Sequence, residues 1–141
     1  MGYNFVTLSF LLLLLTYPIC AQENGTLYLK KVNGKIGWFD SGNSQKDWEY
    51  TGEIVDGKPN GNGELISPFE KYSGEFKNGK MHGQMTHIYE NGKKRVGEFR
   101  NGKPWNVKSF DKKGNLENMW VDGIKLKKLD IPPQEWIDAW S

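Results

Sequence analysis

The sequence has little of the chemistry that holds many small domains together. Its single cysteine is Cys20, so no disulfide can form within the chain. Histidine is nearly as scarce, with only His82 and His87 present. Acidic and basic residues are interleaved and leave a net charge of +2, without the basic run that would indicate a nucleic-acid partner. These shortages exclude a disulfide scaffold and give no support to nucleic-acid binding.

Glycine and aromatic residues are abundant instead. The chain has 17 glycines, 6 tryptophans, 6 tyrosines and 7 phenylalanines among 141 residues, a length that suits one domain. Many glycines and rings with a modest share of aliphatic residues favour short strands and tight turns over a thick aliphatic core. The composition therefore predicts an all-β domain.

The N-terminus has the form of a secretory leader. An apolar run over Phe5 to Leu15 is followed by the helix-breaking Pro18 and by the small residue Ala21. This pattern predicts a signal peptide over residues 1–21 and an exported protein, periplasmic or secreted. Met1 to Asn4 carries no Lys or Arg, and an uncleaved membrane anchor is the alternative. The apolar run is about half of the ~20 residues that a spanning helix needs, which favours the signal peptide.

A short phrase occurs three times in the middle of the chain. The copies begin at Tyr50, Tyr72 and Arg95, and each contains Gly-Glu followed by a turn pair that ends in glycine. Their turn glycines are 22 and 23 residues apart, a period that indicates a repeat architecture. One degenerate copy of the turn pair lies on each side, as a stacked array requires at its ends. The turn glycines are Gly34, Gly57, Gly79, Gly102 and Gly123.

Each turn pair predicts a β-hairpin. Asn-Gly or Asp-Gly between alternating apolar runs favours a type I′ turn, because both central residues need positive φ. On the strand before the second repeat's turn, Tyr72, Gly74 and Phe76 share one face. We expect an aromatic ring from an adjacent strand to fill the gap above the glycine. The recurrent acids would form a ladder on the opposite, solvated face, balanced by lysines: Glu53, Glu75, Glu98, Lys58, Lys80 and Lys103.

The phrase Tyr-x-Gly-Glu-Phe-x-x-Gly-x-x-x-Gly resembles the MORN (membrane occupation and recognition nexus) repeat. The resemblance covers Tyr50 to Gly63, Tyr72 to Gly83 and Val96 to Gly102. It implies an elongated, single-layer antiparallel sheet of stacked hairpins. The third repeat departs from the phrase, because Arg95 replaces the leading aromatic residue and Asn106 stands where the closing glycine is expected. The strand pairing of that repeat is therefore not fixed by the resemblance.

The C-terminal tail breaks the period. Pro133 can open a short helix, on which Trp136, Ile137 and Trp140 would share one apolar face. We expect this helix to cap the sheet, since an uncovered sheet edge promotes aggregation. An amphipathic hook for a membrane or a partner is the alternative. The chain then divides into a signal peptide (1–21), a degenerate hairpin and loop (22–49), the repeats (50–124) and a capping tail (125–141).

No catalytic, metal or cofactor site is predicted. His82 and His87 are an odd number of residues apart, which puts them on opposite faces of a strand. The glutamates recur at the repeat period, and this favours a structural role over paired catalytic acids. A binding surface is expected where the period is broken, at Arg95, Trp105, Trp136 and Trp140.

Together these patterns predict an exported, non-catalytic binding or scaffold module that contacts a protein partner. The alternative is a membrane-associated protein, because the resemblance implies a link with phospholipid membranes and the leader or the tail could anchor the chain. A third hypothesis is an enzyme, for example an envelope hydrolase. Repeats of this kind in enzymes accompany a separate catalytic domain, for which the chain leaves no room.

Overall fold

A computed structural model describes residues 22–126, 130, 132–133 and 135. The predicted signal peptide, and Trp136 and Trp140 of the predicted capping helix, lie outside the described residues. The described chain forms ten strands in one antiparallel sheet, which confirms the all-β, single-layer prediction. In that part of the chain, no helix is long and apolar enough to cross a membrane. The strands are β1 (Glu23–Val32), β2 (Lys35–Phe39), β3 (Trp48–Val55), β4 (Lys58–Ile66), β5 (Glu70–Lys77), β6 (Lys80–Tyr89), β7 (Lys94–Arg100), β8 (Lys103–Phe110), β9 (Leu116–Val121) and β10 (Ile124–Lys125).

All five hairpins close on the predicted type I′ turns. The Asn or Asp of each turn pair has φ between 49° and 51°, and the glycine after it has φ between 67° and 81°. Glycine, Asn and Asp enter this left-handed region more readily than other residues, so the dipeptide fixes the hairpin. The pairs are Asn33–Gly34, Asp56–Gly57, Asn78–Gly79, Asn101–Gly102 and Asp122–Gly123.

Strands β3 to β10 form a meander, but the N-terminal hairpin is reversed in the sheet. The strand that pairs with β3 is β1, and β2 becomes the outer edge. β1 begins beside Ile54, near the first repeat's turn, and continues past Trp48. The Asn33–Gly34 turn therefore lies at the end of the strands opposite the other four turns. We call the end with four type I′ turns the turn end, and the opposite end the loop end.

Backbone hydrogen bonds join successive turns at the turn end. The amide of a turn glycine donates to a carbonyl of the preceding hairpin: Gly79 to Pro59 at 2.8 Å, Gly102 to Met81 at 2.9 Å and Gly123 to Trp105 at 2.9 Å. The residue after each of these carbonyls also takes part, because its side chain accepts a hydrogen bond from the amide of the Asn or Asp in the next turn. These accepting residues are Asn60, His82 and Asn106. We call these contacts the turn linkages. They give His82 a structural role.

The core lies on one face of the sheet. Its buried apolar residues are Leu27, Tyr50, Ile54, Leu65, Phe76, Met85, Phe99 and Val107. The sheet coils around this face, because Trp38 on β2 reaches the Gly79 turn although three strands separate β2 from β5. Trp38 also packs edge-on against Tyr50, with ring centroids 6.0 Å apart. This coiling allows a single layer to enclose its own core.

The glycines of the Gly-Glu motif are covered by the backbone of the partner strand and not by the predicted aromatic ring. A Cβ atom on Gly74 would lie 2.2 Å from the carbonyl oxygen of Gln84, and one on Gly97 would lie 2.1 Å from that of Asn106. Their φ angles are 150° and 140°. The partner strand's backbone therefore excludes a side chain at both positions, next to a bulge. The predicted ring-over-glycine contact occurs instead at Gly63, which Tyr50 covers from the adjacent strand.

The recurrent glutamates are exposed or half-exposed, in keeping with the predicted ladder, and in the first two repeats each carboxylate also binds the backbone. Glu53 Oε1 accepts the amide of Asn62 at 3.1 Å, and Glu75 Oε1 accepts the amide of Gln84 at 2.9 Å. In both repeats the register shifts beside the glutamate, so that the return strand bulges. The carboxylate supplies an acceptor for an amide that the bulge takes out of the ladder. The glutamates are therefore part of the repeat scaffold.

The third repeat has a shorter bulge. Trp105 and Asn106 are the two β8 residues between the pairs Gly97↔Val107 and Phe99↔Pro104, whereas the earlier repeats have three residues there. Glu98 turns to Arg100 instead, with Arg100 Nε 2.6 Å from Glu98 Oε1. The position without the closing glycine is thus the position where the pairing differs.

Candidate functional site

A row of side chains paired across the strands changes character halfway along the core face. In β1, β3, β4 and β5 the row is apolar or aromatic: Leu27, Tyr50, Leu65 and Tyr72. In β6 to β9 it continues as His87, Arg95, Ser109 and Asn118. His87 and Ser109 are buried, with 2% and 5% exposure. We call His87, Arg95 and Ser109 the polar row.

Four partly exposed rings, the aromatic rim, flank the polar row: Trp48, Tyr72, Tyr89 and Trp120. The Tyr72 and Tyr89 centroids each lie 3.9 Å from that of His87, with interplanar angles of 18° and 40°. Trp48 lies 5.7 Å from Tyr72. The rings form a continuous contact surface across β3, β5 and β6, and Trp120 extends it onto β9.

His87 is buried without a hydrogen bond to its Nε2 atom. That atom lies 3.4 Å from Oε2 of Glu70, a contact that does not form a hydrogen bond. Burial lowers the pKa of His87 below its usual 6.5; Arg95 acts in the same direction, and Glu70 opposes both. The imidazole is therefore neutral near pH 7. In the described part of the chain, no group of three His, Cys, Asp or Glu side chains could hold a metal ion.

Arg95 is the cation of the site. Its guanidinium lies over two rings of the aromatic rim, 5.4 Å from the Tyr89 centroid and 5.1 Å from the Trp120 centroid, in reach of cation–π attraction. Its Nε atom is buried and has no hydrogen-bond partner. Among the described residues, no carboxylate forms an ion pair with Arg95. Two rings therefore contact the guanidinium, and its buried Nε donor has no partner within the described part of the chain.

Glu70 is the acid closest to the polar row's histidine, and its carboxylate is shared. Tyr72 donates its hydroxyl proton to Glu70 Oε2 at 3.0 Å. Burial and this contact raise the pKa of Tyr72 above its ordinary value, and burial raises that of Tyr89. Both phenols therefore stay protonated at neutral pH and remain hydrogen-bond donors.

The predicted binding residues are not brought together. Arg95 faces Ser109 towards the loop end, whereas Trp105 lies near the turn end of the same hairpin. The Arg100 guanidinium lies 4.2 Å from the Trp105 ring centroid, and the ring lies against the Gly123 turn. Trp105 therefore belongs to the turn linkages. Trp136 and Trp140 lie outside the described residues.

Sequence reasoning assigned His87 a purely structural role and did not single out Ser109 or Trp120. The local turn signals do not bring these residues together. Counting back from the Asn78–Gly79 turn would pair Tyr72 with Met85, and the bulge between Gly74 and Phe76 shifts the register so that Tyr72 pairs with His87. The connection between β6 and β7 then places Arg95 opposite His87.

The opposite face carries an apolar patch at the loop end. Ile66, Phe69 and Ile88 are 43%, 64% and 42% exposed. Lys71 pairs with Ile66 on one side and with Ile88 on the other. We call these four residues the apolar patch.

A shallow cleft of about 430 Å³ lies between the loops at residues 90–93 and 111–115. Its polar groups hold the loops themselves. The carboxylate of Asp111 accepts hydrogen bonds from Asn115 and from the amide of Lys113, and these bonds lower its pKa. Lys93 Nζ pairs with Glu117 at 2.8 Å. The cleft is therefore explained by turn structure.

The family model for the MORN repeat matches residues 50–68, 72–94 and 96–106. These ranges coincide with the β3–β4 hairpin, the β5–β6 hairpin, and β7 with the first part of β8. Arg95 falls in the gap between the second and third matches. A comparison with curated proteins finds no match to the chain. The cation of the polar row thus stands at the first position of the repeat, where the two earlier matches begin with Tyr50 and Tyr72.

Proposed function

We propose that this chain, a MORN-repeat protein over residues 50–106, is an exported, non-catalytic scaffold that binds a protein partner. MORN repeats are binding modules for proteins or membranes. The observation that carries the proposal is the contrast between two groups of polar residues. Glu53, Glu75 and His82 are engaged in building the repeats, whereas the buried Nε donor of Arg95 has no partner among the described residues.

The aromatic rim gives this face the composition of a protein-binding surface. Tyr, Trp and Arg are enriched where proteins bind each other, because they bury a large area and carry a polar group at the same time. Here Tyr89, Arg95 and Trp120 lie together, with the cation over both rings. A partner segment laid across them would find apolar area and hydrogen-bond donors side by side.

A non-catalytic role is favoured by where the two histidines lie. His82 accepts the Asn101 amide in a turn linkage, at 3.5 Å. His87 is stacked against the rings of Tyr72 and Tyr89 and lies beside Glu70. Neither position suits a general base that must reach a substrate proton.

Export is proposed from the leader over residues 1–21. Mass spectrometry of the N-terminus of the natural protein tests it. Cleavage after Ala21 is the expected result, and a mature chain that retains Phe5 to Leu15 would contradict export in soluble form.

Site-specific photo-crosslinking tests the partner. A benzoylphenylalanine placed at Tyr89, within the aromatic rim, should capture a protein from an extracytoplasmic fraction. The same probe at Thr51, exposed on another part of the sheet, is the control and should not capture that protein. Equal capture from both positions, or none from either, would count against the proposal.

A membrane-associated protein is the second candidate, and the apolar patch favours it. Phe69 is 64% exposed and lies near two exposed isoleucines, with Lys71 between them paired to Glu64 at 2.7 Å. Such an exposed apolar surface suits a membrane interface. Flotation with phosphatidylserine vesicles decides: binding that is lost in Phe69→Ser, and kept in Ile36→Ser at the far edge strand, would support this candidate.

A further inference from the structure

We propose that the polar row is a receptor for a carboxylate group of a peptide partner, with Arg95 as the residue that binds it. The inference rests on the proposed protein-binding function and names the chemistry that the partner must bring. It concerns the open end of the β7–β8 hairpin, where the repeat phrase is broken.

The first argument is the unused donor on Arg95. Buried Nε–H groups without a partner are rare in folded proteins, because the lost hydrogen bond to water is not replaced. The Nε atom of Arg95 is buried in this way. An acceptor oxygen supplied by a ligand would give this Nε–H group its missing hydrogen bond.

The second argument is that three acids near these strands, among the residues that the structure describes, contact other groups. Glu98 pairs with Arg100, and Glu117 pairs with Lys93. Glu70 accepts the Tyr72 hydroxyl and lies beside His87. The charge of Arg95 is therefore not neutralised by an ion pair with a described carboxylate, and an external anion can pair with it.

The third argument is geometry. A guanidinium presents donors in a planar fork that matches the two oxygens of a carboxylate. The contacts with Tyr89 and Trp120 limit the freedom of the Arg95 side chain, which reduces the entropy lost on binding. His87 lies directly across from Arg95, but its Nε2 atom is beside Glu70 Oε2 at 3.4 Å. The location is therefore marked by the buried, unpartnered Nε atom of Arg95.

The aromatic rim indicates a peptide rather than an inorganic anion. Trp48, Tyr72, Tyr89 and Trp120 extend the contact surface on both sides of Arg95, from β3 to β9. A small anion would use the guanidinium alone. A peptide would place its carboxylate on Arg95 and its neighbouring residues on the rings.

Titration with matched peptides tests the inference. The probes are acetyl-Gly-Pro-Glu-Tyr-Gly-amide and the same peptide with Gln in place of Glu, followed by NMR of the arginine Nε–H and tryptophan indole signals. We expect the Glu peptide to bind about tenfold more tightly and to shift the Arg95 and Trp120 signals. A third peptide, with Gln and a free C-terminal carboxylate, shows whether a chain terminus serves as well as a side chain.

Two variants complete the test. Arg95→Met should abolish the preference for the Glu peptide, and the matched control Arg100→Met should keep it. Arg95→Lys retains the charge without the fork, and should reduce the preference even if Arg95→Met fails to fold. Equal affinity for the two peptides, a preference that survives in Arg95→Lys at full strength, or binding of neither peptide would overturn the inference. A crosslinked partner found under any of those outcomes would leave the proposed scaffold function standing.

Discussion

The hydroxyl of Tyr50 lies where a side chain on Gly63 would begin. A Cβ atom placed on Gly63 would be 2.4 Å from Tyr50 Oη and 2.5 Å from two carbons of the ring. The same hydroxyl donates to the carbonyl of Glu53 at 2.8 Å, which fixes the ring over the glycine. One aromatic ring and one glycine on neighbouring strands are thus fitted to each other in the first repeat.

Replacement of Gly63 by Ala should lower the free energy of unfolding by about 2 kcal/mol or more, because the new methyl group overlaps a buried ring. Urea denaturation followed by tryptophan fluorescence measures this. Gly37→Ala is the control, since a Cβ atom there would meet only the Phe39 ring at 3.5 Å, an ordinary contact. A similar loss in both variants would show that loss of glycine, not overlap with Tyr50, sets the cost.

Replacement of Glu75 by Ala should expose the bulge of the second repeat. The amide of Gln84 loses its acceptor, at a cost of about 1 kcal/mol, and its hydrogen exchange should accelerate. Glu98→Ala is the matched control, because that carboxylate pairs with Arg100 on the surface of a shorter bulge and accepts no backbone amide. Equal effects from the two substitutions would contradict the assigned role.

Stability should fall on the acid side because of His87. Burial lowers its pKa in the folded state, so the unfolded state binds the proton more tightly. The contribution of neutral His87 to the free energy of unfolding is therefore complete above about pH 6.5 and is lost progressively as the pH falls below that value. Arg95 adds to the penalty, Glu70 opposes it, and Tyr72 and Tyr89 stay neutral.

His87→Phe keeps a ring between the tyrosines and removes the titration, so its unfolding free energy should depend less on pH between about pH 5 and about pH 7.5. The control is His82→Asn, which places in the second repeat the acceptor that Asn60 provides in the first. An unchanged acid dependence in His87→Phe would contradict the assignment.

Tyrosine ionisation should weaken the fold at high pH. Burial, with a smaller contribution from the charge of Glu53, raises the pKa of Tyr50 from 10.0 to about 12. The unfolded state releases this proton first, so stability falls as the pH rises from about 10 towards about 12. Absorbance at alkaline pH should show late-titrating phenols in the natural protein, and Tyr50→Phe should remove one of them while Tyr72 and Tyr89 remain.

Replacement of Trp38 by Ala should uncover the N-terminal side of the core. The ring lies against Tyr50 and the Gly79 turn, and we expect a loss of about 2 kcal/mol in unfolding free energy. Ile36→Ala, two residues away and 72% exposed, should change it by less than about 0.5 kcal/mol. Equal stability of the two variants would mean that the coiled edge contributes nothing to the core.

The turns were predictable from sequence because they depend on local chemistry. Asn78–Gly79 needs positive φ at two consecutive residues, and few other dipeptides provide it. The reversed N-terminal hairpin was not predictable in this way. The Asn33–Gly34 turn specifies that β1 and β2 pair, but it does not specify which of them faces β3.

The candidate site was predictable only at Arg95, where the repeat phrase is broken. Its neighbours required the register: His87 and Trp120 are distant in sequence and meet Arg95 through cross-strand pairing and coiling of the sheet. The backbone partner of Glu75 was not predictable for a similar reason. Strict alternation places it on the outer face, and the bulge turns its carboxylate back to the backbone.

The turn linkages have a direction, and this bears on how such a chain can change in length during evolution. Each linked glycine donates backwards to the hairpin before it, so a duplicated unit of one hairpin could enter between β5 and β9 and continue the series on both sides. The N-terminal hairpin presents its turn at the opposite end and offers no carbonyl to extend that series. Growth by tandem duplication is therefore open in the interior and closed at β2, which acts as a built-in terminator of the array.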